Sequence, residues 1–128
     1  MAVKPPKPTP AELEILQVLW ANGPQPVREV QRILNEIKPA GYTTVLKILQ
    51  IMTGKGLVVR DNKQRPQIYR PRYPREQTLG LLLRDLEQRA FGGSVKALVL
   101  QALAGRRSAP EELEEIERLL DRMERRTE

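Results

Sequence analysis

The sequence contains no cysteine and no histidine. Without cysteine the chain can form neither a disulfide nor a thiolate metal site. Without histidine it lacks both the commonest metal ligand and the usual general base near neutral pH. Only carboxylates remain as metal ligands, so we expect neither a metal site nor a cofactor. A glycine-rich phosphate loop and a nucleophile motif are also missing.

Carboxylate pairs are the remaining candidates for acid–base catalysis. Glu111/Glu115 and Glu112/Glu114 are followed closely by Arg118 and further arginines. Charge pairing at i,i+4 spacing on a solvated helix face explains them more simply. We therefore expect that the protein is not an enzyme.

Long apolar segments are absent as well. No run approaches the roughly 18–20 apolar residues that span a bilayer, and the opening stretch MAVKPPKPTP contains no apolar signal segment. We expect a cytoplasmic protein with no membrane partner. With 128 residues, the chain has the size of one domain, or of one small domain with an appendage.

Positive charge is concentrated in the first part of the chain. Residues 1–78 contain 13 Lys and Arg against 6 Asp and Glu, whereas residues 79–128 contain 9 against 10, so the net charges are +7 and −1. This distribution is typical of a basic nucleic-acid-binding module joined to a neutral one, with a merely basic soluble protein as the alternative. Residues 1–8 are predicted to form a flexible basic arm along phosphates, or simply a frayed terminus.

Two helices are predicted before residue 40. Thr9-Pro10-Ala11-Glu12 matches a capping box that starts the first helix, and Asn22-Gly23-Pro24 ends it. The second helix opens near Pro26 and ends before Gly41. Their apolar stripes are predicted to contain Leu13, Leu16 and Trp20, and Val27, Val30, Ile33, Leu34 and Ile37, respectively.

A third helix, over residues 42–56, divides into two faces. At helical spacing, the apolar stripe contains Val45, Ile48, Leu49 and Met52, and the opposite face contains Thr43, Lys47, Gln50 and Gly54. A DNA-reading helix needs this division, because one face anchors it while the other reaches phosphates and base edges in the major groove. An ordinary solvated surface helix has the same pattern, so the neighbouring elements decide between the two.

Two short β-prone runs, residues 57–60 and 67–70, follow the third helix and flank a polar loop that contains Lys63 and Arg65. Three helices followed by a basic hairpin are the plan of a winged helix. Lys63 and Arg65 would then contact phosphates or the minor groove, although a solvated loop that happens to be basic is the alternative.

The second part is predicted to be helical throughout, with the last helix starting at the capping box Ser108-Ala109-Pro110-Glu111. About fifty residues cannot enclose so much apolar surface alone, so we expect a dimer interface. Packing back on the winged helix of the same chain is the alternative. The predicted dimerisation residues are Leu79, Leu82, Leu83, Leu86, Leu98, Val99, Leu103, Leu113, Ile116, Leu119, Leu120 and Met123.

Residues 9–126 resemble the penicillinase and methicillin-resistance repressor family, the BlaI/MecI-like transcriptional regulators. The resemblance rests on the T-x-x-E helix ending in Leu19-Trp20, on Val27-Arg28-Glu29-Val30, Tyr42-Thr43-Thr44-Val45, Lys55-Gly56-Leu57 and Tyr69-Arg70-Pro71, and on the later Gly93-Ser94-Val95 and the helix from Ser108 to Leu120. It implies a homodimeric winged-helix repressor whose last three helices interlock between subunits. It also implies that Thr43 and Thr44 contact DNA.

The chain departs from the family pattern in places. Family members commonly have Thr at Lys47 and Arg at Ile51, so the operator sequence is expected to differ. In the β-lactam-responsive members a regulatory protease cuts the dimerisation part at an Asn-Phe bond. Gln101-Ala102 stands at the matching position here, which argues against induction by cleavage. The copper-responsive relatives have C-terminal cysteines, and their absence here argues against metal sensing.

The sequence therefore predicts a mainly α protein with a small β-hairpin, a winged helix-turn-helix followed by a three-helix dimerisation region. The predicted domains are the arm at 1–8, a DNA-binding domain at 9–73 and a dimerisation domain at 74–128. We predict that it represses transcription as a homodimer on a pseudo-palindromic double-stranded operator. The predicted DNA-binding residues are Arg28, Tyr42, Thr43, Thr44, Lys47, Gln50, Lys63 and Arg65. The alternative is a winged-helix protein-binding module, which would expose apolar residues where only Leu46 and Ile51 flank the polar face.

Overall fold

The computed structural model describes residues 4–104 and 110–127. Its elements follow in the order α1 (Pro10–Asn22), α2 (Val27–Asn35), α3 (Tyr42–Lys55), β1 (Val58–Asp61), β2 (Ile68–Pro71), α4 (Arg75–Phe91), α5 (Val95–Leu103) and α6 (Pro110–Thr127). This order confirms the predicted fold class, mainly helical with a small hairpin. The chain divides into two compact units, Met1–Leu86 and Glu87–Glu128, and the division falls inside α4.

The capping box at the start of α1 forms as predicted. Thr9 Oγ1 accepts a hydrogen bond from the Glu12 backbone N–H at 3.2 Å, and Glu12 Oε1 accepts one from the Thr9 N–H at 2.8 Å. Pro10 occupies the first helical position, where its missing N–H costs no hydrogen bond. At the other end, Gly23 has φ +81°, a conformation that favours glycine, and its N–H bonds the Leu19 carbonyl at 2.9 Å.

One hydrophobic core joins α1, α2, α3 and the hairpin. Its buried members are Ile15, Leu16, Val18, Leu19, Val27, Val30, Leu34, Val45, Leu49, Met52, Leu57, Val58 and Tyr69. Along α1 the prediction was partly wrong, because Leu13 and Trp20 are only half-buried while Ile15 and Leu19 fill the core. Apolar residues surround much of α1, so periodicity alone does not single out the core stripe.

Ile37 is a second correction. It was predicted to continue the buried stripe of α2, but it is 79% exposed. The helix ends at Asn35, so Ile37 lies outside the helical register that would have turned it inward.

The hairpin is attached to the helices through Tyr69. β1 and β2 pair antiparallel, with Val58 opposite Pro71 and Arg60 opposite Tyr69. The Tyr69 N–H bonds the Gln25 carbonyl at 2.9 Å, and the Gln25 N–H bonds the Tyr69 carbonyl at 3.0 Å. The segment between α1 and α2 therefore pairs with β2, and this holds the hairpin beside the helices.

The second unit contains the end of α4, α5 and α6. α4 ends before Gly92 and Gly93, and the Ser94 hydroxyl caps α5 by accepting a hydrogen bond from the Ala97 N–H at 3.0 Å. The predicted capping residues Ser108 and Ala109 lie outside the described residues. No side chain of α5 is buried. The apolar side chains of α5 are therefore at least partly exposed in the single chain.

Within residues 4–104 and 110–127, none of the helices has both the length and the apolar content needed to cross a membrane.

Candidate nucleic-acid interface

Helix α3 has the two faces that its sequence predicts. Val45, Leu49 and Met52 are buried, with exposures of 2%, 0% and 0%, and Ile48 packs against the same core. The opposite face is solvent-exposed and contains Thr43, Lys47, Gln50 and Gly54, and Thr44 beside it is exposed as well. The helix ends at Gly56, whose φ of +80° is in the left-handed region. A cation, an amide and hydroxyls are thus presented on a helix that the core holds from behind.

An apolar residue borders this exposed face on each side. Leu46 is half-buried and packs against the core, whereas Ile51 is 48% exposed. The centre of the face, from Thr43 through Lys47 to Gln50, remains polar. Such a composition suits a polar partner better than an apolar protein surface.

The loop before α3 is held by two side chains of α2. The Gln31 side-chain amide donates to the Ala40 carbonyl at 2.9 Å, and Asn35 Oδ1 accepts from the Ala40 N–H at 3.0 Å. Both backbone groups of Ala40 are therefore satisfied by α2. This connection places the first turn of α3 beside α2.

Arg28 and Tyr42 lie together at the start of α2 and α3. The guanidinium carbon of Arg28 is 5.6 Å from the centre of the Tyr42 ring, a cation–π distance. Both residues line a cleft of about 380 Å³, which we call the α2–α3–hairpin cleft, with Pro66 and Gln67 on its hairpin side. The structure therefore brings two predicted site residues next to the end of the predicted wing.

The hairpin loop is a compact turn with exposed cations. Asp61 accepts hydrogen bonds from the Lys63 backbone N–H at 2.9 Å and from the Gln64 side chain at 3.2 Å. Lys63 and Arg65 are exposed, and so are Arg60 and Arg70 on the strands. Arg60 and Arg70 were not among the predicted DNA contacts, although their place in a hairpin next to a basic loop could have indicated them.

The cations that are predicted to contact DNA differ from several other cations of the first unit in their ion pairing. Within the described ranges, no carboxylate pairs with Arg28, Lys47, Lys63 or Arg65. By contrast, Lys7, Arg32, Lys38, Lys55 and Arg75 each form an ion pair. Lys7 of the predicted arm bonds Asp85 at 2.7 Å, and Pro5 and Pro8 beside it are buried.

Glu29 is the acidic group at the cleft, and it is paired. Its carboxylate accepts hydrogen bonds from the guanidinium of Arg32, one of them from Nε at 3.0 Å. The hydrogen bonding and the charge of Arg32 lower the pKa of Glu29 below its ordinary value. A carboxylate repels phosphate, so this pairing reduces the electrostatic penalty for bringing an anion to the cleft.

The predicted dimerisation residues are all at least partly exposed in the single chain. Leu79, Leu82, Leu98 and Ile116 are half-buried, while the others are more open. Leu83 and Met123 are each 54% exposed, Leu119 is 50% exposed, and Leu86 and Leu120 are each 47% exposed. Each unit thus presents apolar side chains to its surroundings.

The sequence profile of the penicillinase repressor family matches residues 8–122. The chain belongs to this family of transcriptional repressors. It is also 32% identical over 91 residues to the transcriptional regulator BlaI from two strains of Mycobacterium tuberculosis. That alignment covers 70% of this chain and 66% of the relative, so the chain spans just under two thirds of the length of these curated relatives.

The bond that the resemblance matches to a protease site, Gln101-Ala102, lies within α5. Gln101 and Ala102 are both exposed on this helix. A helical peptide bond must unfold locally before a protease can bind it in extended form, so exposure of these side chains does not by itself make the bond accessible. The departure of Gln101-Ala102 from the Asn-Phe pattern argues against induction by cleavage at this position.

Proposed function

We propose that the chain is a cytoplasmic, sequence-specific transcriptional repressor that binds a pseudo-palindromic DNA operator as a homodimer. The observation that carries the proposal is the division of α3, in which Val45, Leu49 and Met52 are buried while Thr43, Lys47 and Gln50 are exposed. A helix of this kind fits the major groove, where a lysine can bond guanine and a glutamine can bond adenine. Membership of a repressor family supports the same function.

The α2–α3–hairpin cleft supports a phosphate contact next to the reading helix. α2 begins after Pro26 without a side-chain cap, so its first N–H groups and its positive dipole end are available to an anion. Arg28 adds a full positive charge at the same place, where its guanidinium lies against the Tyr42 ring. We assign Arg28 and Tyr42 to the positioning of one DNA strand, with Thr43 and Thr44 beside them on the first turn of α3.

The hairpin loop supports a second set of DNA contacts. Lys63 and Arg65 are exposed, have no acidic partner among the described residues, and lie on a loop that Asp61 keeps compact. A wing of this kind contacts phosphates or the minor groove beside the site that the reading helix occupies. We assign both cations to contacts that add affinity but little sequence information.

We assign dimerisation to residues 74–128. The exposed apolar side chains of α4, α5 and α6 support this assignment, because so many large apolar side chains are costly to expose on a monomer in water. A two-fold dimer presents two equivalent reading helices, so the operator should be a pseudo-palindrome.

The test is selection of DNA by the full-length protein from a random double-stranded library, followed by sequencing. We expect enrichment of two inverted half-sites whose centres are about 10 base pairs, or a multiple of this, apart. The Lys47→Ala/Gln50→Ala variant should lose the enrichment, while Lys38→Ala, which removes a cation already paired with Glu14, should keep it.

A folded protein that enriches no sequence at low salt would refute specific DNA binding and favour a protein-binding role for the winged helix. Enrichment of a single, unrepeated site would instead refute the two-fold arrangement. A footprint on the DNA upstream of the protein's own gene would then show whether the selected sequence is used there.

A further inference from the structure

The two ends of α3 are attached to the rest of the first unit by polar contacts. At the first end, Gln31 and Asn35 bond Ala40, which precedes the helix. At the last residue, Lys55 Nζ lies 2.7 Å from Glu12 Oε1 on α1. Between these ends the helix is held by apolar packing, which is not directional. The polar contacts are directional, so they can determine the orientation of the helix more narrowly than the core does.

The contact between Lys55 and Glu12 is unusual in the burial of its carboxylate, while the Lys55 side chain is 36% exposed. The Glu12 side chain is only 4% exposed, whereas the other acid that α1 offers to a lysine, Glu14, is 41% exposed. Glu12 Oε1 also accepts a hydrogen bond from the Thr9 backbone N–H at 2.8 Å. The same oxygen therefore bonds both the N-cap residue of α1 and the last residue of α3. The carboxylate cannot follow a movement of Lys55 without loosening the start of α1.

The pKa of Glu12 reflects both its burial and its bonding partners. Burial alone would raise the pKa of Glu12, but the hydrogen bonds from Lys55 and Thr9, with the charge of Lys55, hold it below the ordinary value. Glu12 is therefore a buried carboxylate that stays ionised and depends on Lys55 for its balancing charge. An uncompensated buried charge is costly, so the two residues stay together.

We propose that Glu12 and Lys55 are positioning residues, whose ion pair sets the orientation of α3 against α1 and so determines how well the protein discriminates its operator from other DNA. Neither residue contacts DNA in this proposal. It rests on the proposed function, because orientation matters here only for a helix that reads base edges. Directional bonds to bases tolerate little displacement, so a change of tilt costs operator binding more than it costs phosphate contacts.

The experiment compares the affinity of each full-length variant for the operator and for random DNA of equal length, well below the melting temperature of every variant. Lys55→Met keeps the aliphatic stem but removes the charge, and Glu12→Gln keeps an acceptor for the Thr9 N–H. For both we expect the ratio of the two affinities to fall at least about fivefold, the discrimination that one good base contact supplies. Lys55→Arg, which preserves the charge, should restore most of the ratio.

Lys38→Met is the matched control. It removes one lysine charge and breaks a pair with another glutamate of α1, Glu14, at 2.8 Å, but this pair is exposed and lies outside α3. Its affinity ratio should equal that of the wild type. An unchanged ratio in folded Lys55→Met and Glu12→Gln would show that the Glu12–Lys55 pair only stabilises the protein, and would overturn the proposal.

A direct phosphate contact by Lys55 would give a different pattern. Lys55→Met would then weaken operator and random DNA equally, and Glu12→Gln, which releases the lysine, would strengthen both. That result would also overturn the proposal. If Lys55→Met does not fold, Glu12→Gln decides, because the capping acceptor remains.

The orientation is also measured without DNA, from residual dipolar couplings of the α1 and α3 amides. We expect the angle between the two helices to change in Lys55→Met and Glu12→Gln but not in Lys38→Met. An unchanged angle refutes the proposal. A wild-type protein that shows no operator preference, despite a change of angle in the variants, refutes the proposed function and leaves the ion pair as a determinant of orientation alone.

Discussion

At the scale of single residues, α3 separates side chains that fold the protein from side chains that are free to bind. Lys47 and Gln50 are exposed, whereas Met52, on the next turn, is fully buried. The two groups face opposite directions because the helix turns by about 100° per residue. Binding and stability can therefore be changed independently along one helix.

The first prediction uses this separation. Lys47→Ala and Gln50→Ala should each weaken operator binding by about 1–3 kcal/mol, the discrimination of a good base contact, with thermal stability almost unchanged. Met52→Ala should instead reduce the free energy of unfolding by about 2–5 kcal/mol, because it leaves a cavity in the core. Operator titrations and urea denaturation would measure the two effects. Equal loss of stability in Lys47→Ala and Met52→Ala would mean that the faces are assigned wrongly.

Glu12 provides the second prediction, which concerns pH. Burial alone would raise the pKa of Glu12, but its bonds to Lys55 and Thr9 leave it lower in the folded protein than in the unfolded chain. It therefore stabilises the fold above the ordinary carboxyl pKa, and this contribution is lost as the pH falls through the lowered value. Lys55→Met should lower the unfolding free energy by about 1–3 kcal/mol at neutral pH, because it leaves a buried group without its partner.

The difference between wild type and Lys55→Met should shrink as the solution is acidified, when Glu12 becomes protonated in both proteins. Urea denaturation from about pH 7 to about pH 3 covers this range. Lys38→Met, at an exposed pair, should lower stability by no more than about 1 kcal/mol. A difference for Lys55→Met that stays constant over the whole range would rule out Glu12 as the titrating partner.

At the scale of elements, the reading helix and the hairpin contribute in different ways. α3 packs in the core against α1 and α2, and the hairpin joins the same core through Val58 and Tyr69 and pairs with Gln25. Its loop presents charge rather than groups with a fixed orientation toward bases. Contacts from such a loop depend on the number of phosphates neutralised and not on their sequence.

The third prediction follows for the hairpin. Lys63→Ala/Arg65→Ala should weaken binding to operator and random DNA alike, and should reduce the slope of log affinity against log salt concentration by about 2, since each phosphate contact contributes about 0.9. Lys38→Ala/Arg75→Ala removes two cations already paired with Glu14 and Glu76, so its slope should change less. A loss restricted to the operator would assign Lys63 or Arg65 to base recognition instead.

At the scale of the whole molecule, the exposed apolar side chains of the last three helices are consistent with the proposed dimer. Leu119, Leu120 and Met123 on α6 are 50%, 47% and 54% exposed, and α5 has no buried side chain. A second copy would cover them symmetrically and bring two reading helices to one operator. Linking two weak half-site contacts in this way raises affinity by roughly 10²–10⁴-fold without any new contact.

The fourth prediction tests this assembly. The wild type should sediment as a dimer at micromolar concentration, and Leu120→Glu should sediment as a monomer that binds the full operator at least about 100-fold more weakly. Ile37→Glu places the same charge at an exposed apolar position of the first unit, and it should remain dimeric. A monomeric wild type, or a dimeric Leu120→Glu, would require another role for the last three helices.

The sequence by itself determined the features that depend on neighbouring residues. The capping box at Thr9, the order of the elements and the two faces of α3 follow from spacing and local conformation, and they were predictable for that reason. Ile37 and the core stripe of α1 were not, because burial depends on where a helix ends and on what packs against it. The pairing of Gln25 with Tyr69 and the bond of Lys55 to Glu12 join residues 44 and 43 positions apart in the chain. Only the tertiary structure could decide such contacts, because they form when packing brings distant segments together, and no local pattern in the sequence encodes which segments meet.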